Sequence, residues 1–379
     1  MDFTIAVIPG DGIGPEVIRE AWKAAESASK VYGIGLRQKV FPFGAGHYTK
    51  TGGEVLPPGA LNELAGYDAL LLGAVGHPSV PPGPIEQELL LALRFHFDQY
   101  LNLRPAQSYP NVPLPVLLPP GRRLDIVVVR ENTEDFYMGL GGLFSGQTSN
   151  AVKTKRSLYN FSGRLELETA PPVQTAYSLG LLTAPAIERI TGQAFKLAAS
   201  RQENKVHVAT KANALPDFYG FWDQQTKAVA DRDFAGIKHL KINVDNLCYQ
   251  LPRSVLDFGV ILCPNLFGDI VSDLVSALAG GLGLAASANI GDQLCMFEPV
   301  HGSAPDIQGT GRANPLAAIL SAALMIDHLG QKPAAELIRQ AVSDYLAQGQ
   351  NFPFELGGTT DCSAVGDIIA DLITTRGRA

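Results

Sequence analysis

Apolar and polar positions along the chain fall into two alternating rhythms. Short, nearly continuous apolar runs at residues 3–8, 69–72, 125–129, 206–209, 240–244 and 255–262 predict buried strands. Longer stretches of helical period at 15–31, 85–100, 218–230, 269–278 and 314–329 follow them in turn. Strands alternating with helices predict an α/β protein with much parallel sheet. One segment breaks the rhythm: residues 139–169 are rich in Gly, Ser, Thr and Tyr and carry no helical period. They predict an extended arm, and a two-stranded arm is only marginally stable alone. Pairing with a second subunit would supply the missing partner.

Composition narrows the picture. A chain of 379 residues, 46% hydrophobic and 18% charged, has the length for two or three domains with cores of their own. The formal charge of −7 comes with no basic block, so a nucleic-acid partner is not expected. The four cysteines form no CxxC pair and read as reduced core thiols. The first residues enter a strand at once, with no basic leader or cleavage pattern, and no apolar run reaches the roughly 18 residues of a membrane span. A cytoplasmic protein without membrane contact is the expectation.

Candidate chemistry lies where strands end. Gly10-Asp11-Gly12-Ile13-Gly14-Pro15-Glu16 closes a strand and opens a helix, and reads equally as a tight turn or a ligand loop. Arg94, Arg104 and Arg130 carry guanidinium forks suited to carboxylates, with surface ion pairs as the plain alternative. Asp269 and Asp273 stand at i and i+4 on one helix, where like charges repel unless a cation intervenes. With Asp245 they would form a hard oxygen site for magnesium or manganese; solvated aspartates are the alternative. A loop of small residues from Glu298 through His301, Gly302, Ser303 and Ala304 to Asp306, with Asn314 downstream, suits a nucleotide or an ordinary turn. Tyr137 and Lys211 are unremarkable alone.

Taken in order, these stretches resemble the β-decarboxylating dehydrogenases, the isocitrate/isopropylmalate dehydrogenase family that includes the homoisocitrate and tartrate/D-malate enzymes. The most specific are residues 265–274, NLFGDIVSDL, and 298–315, EPVHGSAPDIQGTGRANP. The resemblance implies a two-domain fold: a large discontinuous α/β domain from 1–101 and 258–379, and a smaller inserted α/β domain at 102–257 bearing the dimer-forming arm. It also implies a homodimer with shared active sites. Arg94, Arg104 and Arg130 match the arginines that grip the malate carboxylate. Asp269 and Asp273 match the metal ligands, with Asp245 reaching the metal from the partner subunit beside Lys211, a proton-transfer residue. Tyr137 matches the general acid. Residues 302–306 with Asn314 match the adenosine loop, and Glu298 the residue near the nicotinamide ribose. Asp306-Ile307 stands where NADP-specific relatives carry Lys and Tyr, so NAD is the expected cofactor.

Substrate choice is expected in the helix before Arg94. Leu90 and Leu91 offer an apolar floor, and Glu88 would repel a third carboxylate, which disfavours isocitrate and homoisocitrate. The runs around 97–105, 130–134, 209–213 and 221–223 resemble the tartrate/D-malate group. Oxidative decarboxylation of a D-malate or tartrate-like acid is therefore the first expectation, with 3-isopropylmalate or another 3-substituted malate as the alternative. Departures are Gly76-His77-Pro78-Ser79 in place of Gly-Trp-Pro, the cluster Pro81-Pro82-Gly83-Pro84, and the lack of Leu-Trp-Gly in the helix. His77 reads first as an exposed loop residue. A non-catalytic regulatory subunit would not need the metal aspartates, Lys211 and Tyr137 together, and a metal-dependent hydrolase would leave the arginines idle.

Overall fold

The computed structural model describes residues 1–81 and 83–377, so Pro82 of the proline cluster lies outside the described residues. The chain forms two compact units, each assembled from separate stretches: 1–128 with 248–258 and 271–379, and 129–247 with 259–270. Strand Asp125–Glu131 (β5) and helix Asn265–Leu278 each begin in one unit and end in the other. The sequence boundary at 101/102 cuts elsewhere. Strand Leu101–Gln107 (β4) pairs antiparallel with Ala286–Ile290 (β13), which keeps residues 102–107 with the first unit.

In the first unit the strands run β4, β13, Met296–Pro299 (β14), Ala69–Ala74 (β3), Asp2–Gly10 (β1) and Gly35–Val40 (β2). β14, β3, β1 and β2 are parallel, and β13 is antiparallel to both its neighbours. Successive side chains on a strand face opposite ways, so the apolar runs fill two cores. Ile5, Val7, Leu71 and Phe297 join one; Ala6, Ile8, Leu70, Leu72 and Met296 join the other. Helix Leu316–His328 is apolar almost all round and packs into the first core, as a helix without a polar face must. Among the described residues no helix is long and apolar enough to cross a membrane.

The second unit holds the parallel strands Lys205–Thr210 (β10), Lys238–Asn243 (β11) and Val260–Cys263 (β12), packed by helices Ala184–Ser200 and Pro216–Asp233. The predicted strand at 255–262 is half right: Val255–Asp257 is a 3₁₀ turn. The irregular arm is longer than its composition suggested. Asp135–Ser145 (β6) pairs with Gln174–Leu181 (β9), and Gln147–Lys155 (β7) with Asn160–Glu168 (β8). Cys263, Cys295 and Cys362 are buried, but Cys248 is only half-buried and so is no core thiol.

Candidate active site

In the second unit, Arg130, Tyr137 and Asp269 form one cluster. Arg130, almost at the end of β5, is 1% exposed and spreads its guanidinium between two acceptors. Its Nε donates to Asn265 Oδ1 at 2.9 Å and its Nη1 to Asp269 Oδ1 at 2.5 Å. Tyr137 Oη donates to Asp269 Oδ2 at 2.7 Å, and the guanidinium carbon lies 5.1 Å from the Tyr137 ring centroid, a cation–π distance. The NLFGD sequence makes this approach possible, because a Cβ on Gly268 would stand 2.6 Å from Arg130 Cγ. The helix start is fixed from the preceding acidic run: Asp135 Oδ2 accepts from Leu266 N at 2.8 Å, and Asn265 Nδ2 donates to the Glu134 carbonyl at 3.0 Å.

That run is unusual in itself. Arg130, Glu131, Asn132, Thr133, Glu134 and Asp135 are six consecutive polar residues, none more than 1% exposed. Glu131 accepts from Thr133 N and Oγ1 and from Glu134 N. Glu134 accepts from the amide and hydroxyl of Thr183. Burial first, and then the neighbouring Glu131 carboxylate, push Glu134 up to about 7.

Lys211 and Asp245 meet in the same unit. Parallel pairing of Thr210 with Asn243 brings the ends of β10 and β11 side by side, and Lys211 Nζ donates to Asp245 Oδ1 at 2.6 Å. Asp245 does not end the strand, as its sequence position suggested; it lies in the first turn of helix Val244–Gln250. Its side chain is 64% exposed, and the hydrogen bond from Lys211 lowers its pKa.

In the first unit Arg94 and Arg104 are both buried. Arg94 Nη2 donates to Glu298 Oε1 at 3.0 Å, while its buried Nε has no acceptor among the described residues. Arg104 donates through Nε to Asn102 Oδ1 at 2.7 Å and through Nη1 to Ser272 Oγ at 2.7 Å, with Asp273 at 3.6 Å. The predicted helix before Arg94 is two elements, a π-helical stretch Glu86–Leu91 and helix Ala92–His96. Such wide turns are rare and cluster at functional positions. Leu90 and Leu91 are both partly exposed, and Leu90 leans on the second core.

Loops at the carboxyl ends of β1, β3 and β14 are tied to one another, the edge at which open α/β sheets bind ligands. Ile13 N donates to the Ser303 carbonyl at 2.8 Å, Asp11 N to the Ala74 carbonyl at 2.6 Å, and Gly76 N to Asp11 Oδ2 at 3.0 Å. Gly12 has φ +56°, and a Cβ there would lie 1.9 Å from the Ser303 carbonyl oxygen. The glycine-rich turn thus supports the 301–306 loop by direct backbone contact. In that loop Gly302 and Asp306 are exposed, Ser303 is buried, and Ala304 takes φ +38°. His301 Nδ1 sits 3.0 Å from the Gly302 carbonyl, its Nε2 is buried without a partner among the described residues, and burial lowers its pKa. Neutral imidazole therefore presents a bare acceptor. Asn314 is committed within the fold: Nδ2 donates to Glu355 and Oδ1 accepts from Leu316 N. His77 is half-buried, its Nδ1 accepting from Ser79 N at 3.2 Å.

Among the described residues no three His, Cys, Asp or Glu side chains converge as a metal cage. Asp269 and Asp273 remain two hard oxygen donors one turn apart on a single helix. The polar residues Asn102, Ser272, Ser287 and Asn289 had no assigned role from sequence. For the three on strands, Asn102, Ser287 and Asn289, the signal was the strict alternation Leu101-Asn102-Leu103-Arg104 and Ala286-Ser287-Ala288-Asn289, which reads as a solvated strand face although these polar side chains are buried.

A family model described as isocitrate/isopropylmalate dehydrogenase matches residues 4–369. The chain is 39% identical to a 3-isopropylmalate dehydrogenase of Thermobifida fusca, over 98% of each chain. It is 42% identical to that of Clavibacter sepedonicus, over 91% of each. Among solved structures, isocitrate dehydrogenase from Methylococcus capsulatus superposes with a TM-score of 0.83 at 30% identity, covering 99% of this chain and all of the other. The TT0538 protein from Thermus thermophilus superposes at 0.82 with 32% identity, covering 99% of this chain and 70% of the other.

Proposed function

Because the chain belongs to the isocitrate/isopropylmalate dehydrogenase family, we propose that it oxidises and decarboxylates a 3-substituted malate with NAD, most simply 3-isopropylmalate. The observation that carries the chemistry is the Arg130–Asp269–Tyr137 cluster, which pairs an anion-binding guanidinium with a proton donor on one carboxylate. The substrate assignment moves away from the D-malate and tartrate reading. Relatives matched over nearly their whole length are named 3-isopropylmalate dehydrogenases, and the apolar side chains of Leu90 and Leu91 suit an alkyl group at C3.

In this reading Arg94, Arg104 and Arg130 hold the two carboxylates of the acid, and the unsatisfied Nε of Arg94 is a donor in waiting. Asp269 and Asp273, hard oxygen donors, would hold magnesium or manganese, with Asp245 contributed by a second copy of the chain. A bound divalent cation would acidify the substrate hydroxyl and polarise the 2-oxo group. Lys211 takes the hydroxyl proton, and Tyr137 protonates C3 once carbon dioxide has left. His301 Nε2 fits a donor on the adenine edge. The exposed Asp306 accepts ribose hydroxyls and repels a 2′-phosphate, which favours NAD.

The deciding experiment is a panel of 3-isopropylmalate, D-malate, both chiral tartrates and isocitrate, each with NAD or NADP and manganese, followed at the NADH absorbance. NAD-dependent turnover of 3-isopropylmalate at the highest kcat/KM is expected. A preference for isocitrate with NADP would overturn both the substrate and the cofactor assignment.

A further inference from the structure

Arg94 and Arg104 are joined by an unbroken chain of buried hydrogen bonds. Arg104 Nε donates to Asn102 Oδ1 at 2.7 Å; Asn102 Nδ2 donates to Asn289 Oδ1 at 2.8 Å; Asn289 Nδ2 donates to Glu298 Oε1 at 2.8 Å; and the same oxygen accepts from Arg94 Nη2 at 3.0 Å. Asn102 and Asn289 are fully buried and directly opposite in the antiparallel pairing of β4 and β13. Ser287, the next residue on that face of β13, takes the second hydrogen of Asn102 at 2.9 Å and stands opposite Glu298 on β14.

The direction of the chain is set by chemistry. An arginine can only donate, so the Asn102 oxygen must face Arg104 and its amide hydrogens must face Asn289. The Asn289 oxygen then faces Asn102, and its amide nitrogen meets a carboxylate that only accepts. A packed apolar pair in place of two buried amides would hold the strands without desolvating them, as Leu103 opposite Ala288 and Leu101 opposite Ile290 do one residue away. Packing therefore does not call for these amides.

Resting on the proposed function, we infer that Asn102 and Asn289 are positioning residues that couple the two substrate-gripping arginines to Glu298, so that hydroxy acid and nicotinamide nucleotide sense each other through this relay. Acid drawing on Arg94 and Arg104 loosens or reorients Glu298, and nucleotide beside Glu298 resets the arginines. Neither asparagine needs to touch a ligand. The relay requires an amide at each step, since Asn102→Asp keeps an acceptor for Arg104 but sets a carboxylate against Asn289 Oδ1.

The test is NADH affinity, read by nicotinamide fluorescence on the manganese-loaded protein, with and without saturating 3-isopropylmalate. Wild type is expected to show a coupling factor of about 5-fold or more, with the same factor in the reciprocal titration. Asn289→Ala and Asn102→Asp, checked by melting for an intact fold, are expected to reduce it below about 2-fold. Ser287→Ala, off the path, is expected to keep it. Coupling retained in either relay variant, or absent from wild type, overturns the inference and leaves the dehydrogenase reading standing. Absence of acid-dependent NADH formation across the substrate panel removes that reading, and the relay with it.

Discussion

Tyr137 and Arg130 share one carboxylate: the tyrosine hydroxyl donates to Asp269 Oδ2 at 2.7 Å and the guanidinium to Oδ1 at 2.5 Å. A hydroxyl donor and a guanidinium are thus held on one carboxylate. Tyr137→Phe removes only the hydroxyl. We expect kcat to fall on the order of 10²–10⁴-fold with KM for the acid little changed, as for loss of a general acid. Steady-state kinetics on 3-isopropylmalate check this, and a change confined to KM would reassign Tyr137 to binding.

Lys211 and Asp245 pair with each other within one chain. If a second copy delivers them to the first copy's substrate, Tyr137→Phe and Lys211→Met subunits complement each other. Random reassortment of the two inactive proteins should restore about a quarter of wild-type activity, because half the dimers are mixed and each carries one complete site. Mixtures as inactive as their components would place all the groups in one chain.

Glu134 supplies a stability test. Its folded pKa, about 7, lies above the ordinary value of 4.5, so the folded protein holds a proton that the unfolded chain releases. The associated stability is complete below the unfolded pKa and declines as pH rises through the folded one. Glu134→Gln imitates the protonated acid: its oxygen can accept from Thr183 N and its amide can donate to Thr183 Oγ1. The melting temperature of the variant should match wild type near pH 5 and exceed it above pH 7. A parallel pair of pH profiles would show that Glu134 does not govern the slope.

Gly12 carries a test of the nucleotide-binding role proposed for residues 301–306. Alanine there would meet the Ser303 carbonyl at 1.9 Å and hold a positive φ, with strain of about 1–3 kcal/mol relieved by moving the 301–306 loop. The expected outcome is a raised KM for NAD with KM for the acid less affected. An unchanged KM for NAD would show that the loop does not contact the cofactor.

The alternation of apolar runs and helical periods determined the α/β class, because a parallel strand buried on both faces leaves a continuous hydrophobic signature that helices must cover. The GDGIGPE, NLFGDIVSDL and EPVHGSAPD stretches likewise set the glycines, aspartates and histidine of the candidate chemistry at the ends of strands and the start of a helix. Tertiary structure alone decided their partners. It set Arg130 and Tyr137 on the two oxygens of Asp269, kept Lys211 with Asp245, and turned the glycine-rich loop into a support for residues 301–306. It also turned the alternating polar residues of β4 and β13 from an apparent solvent face into a buried relay. Alternation records only which way side chains point on a strand; whether water or another strand's side chains meet them depends on residues nearly 200 positions distant.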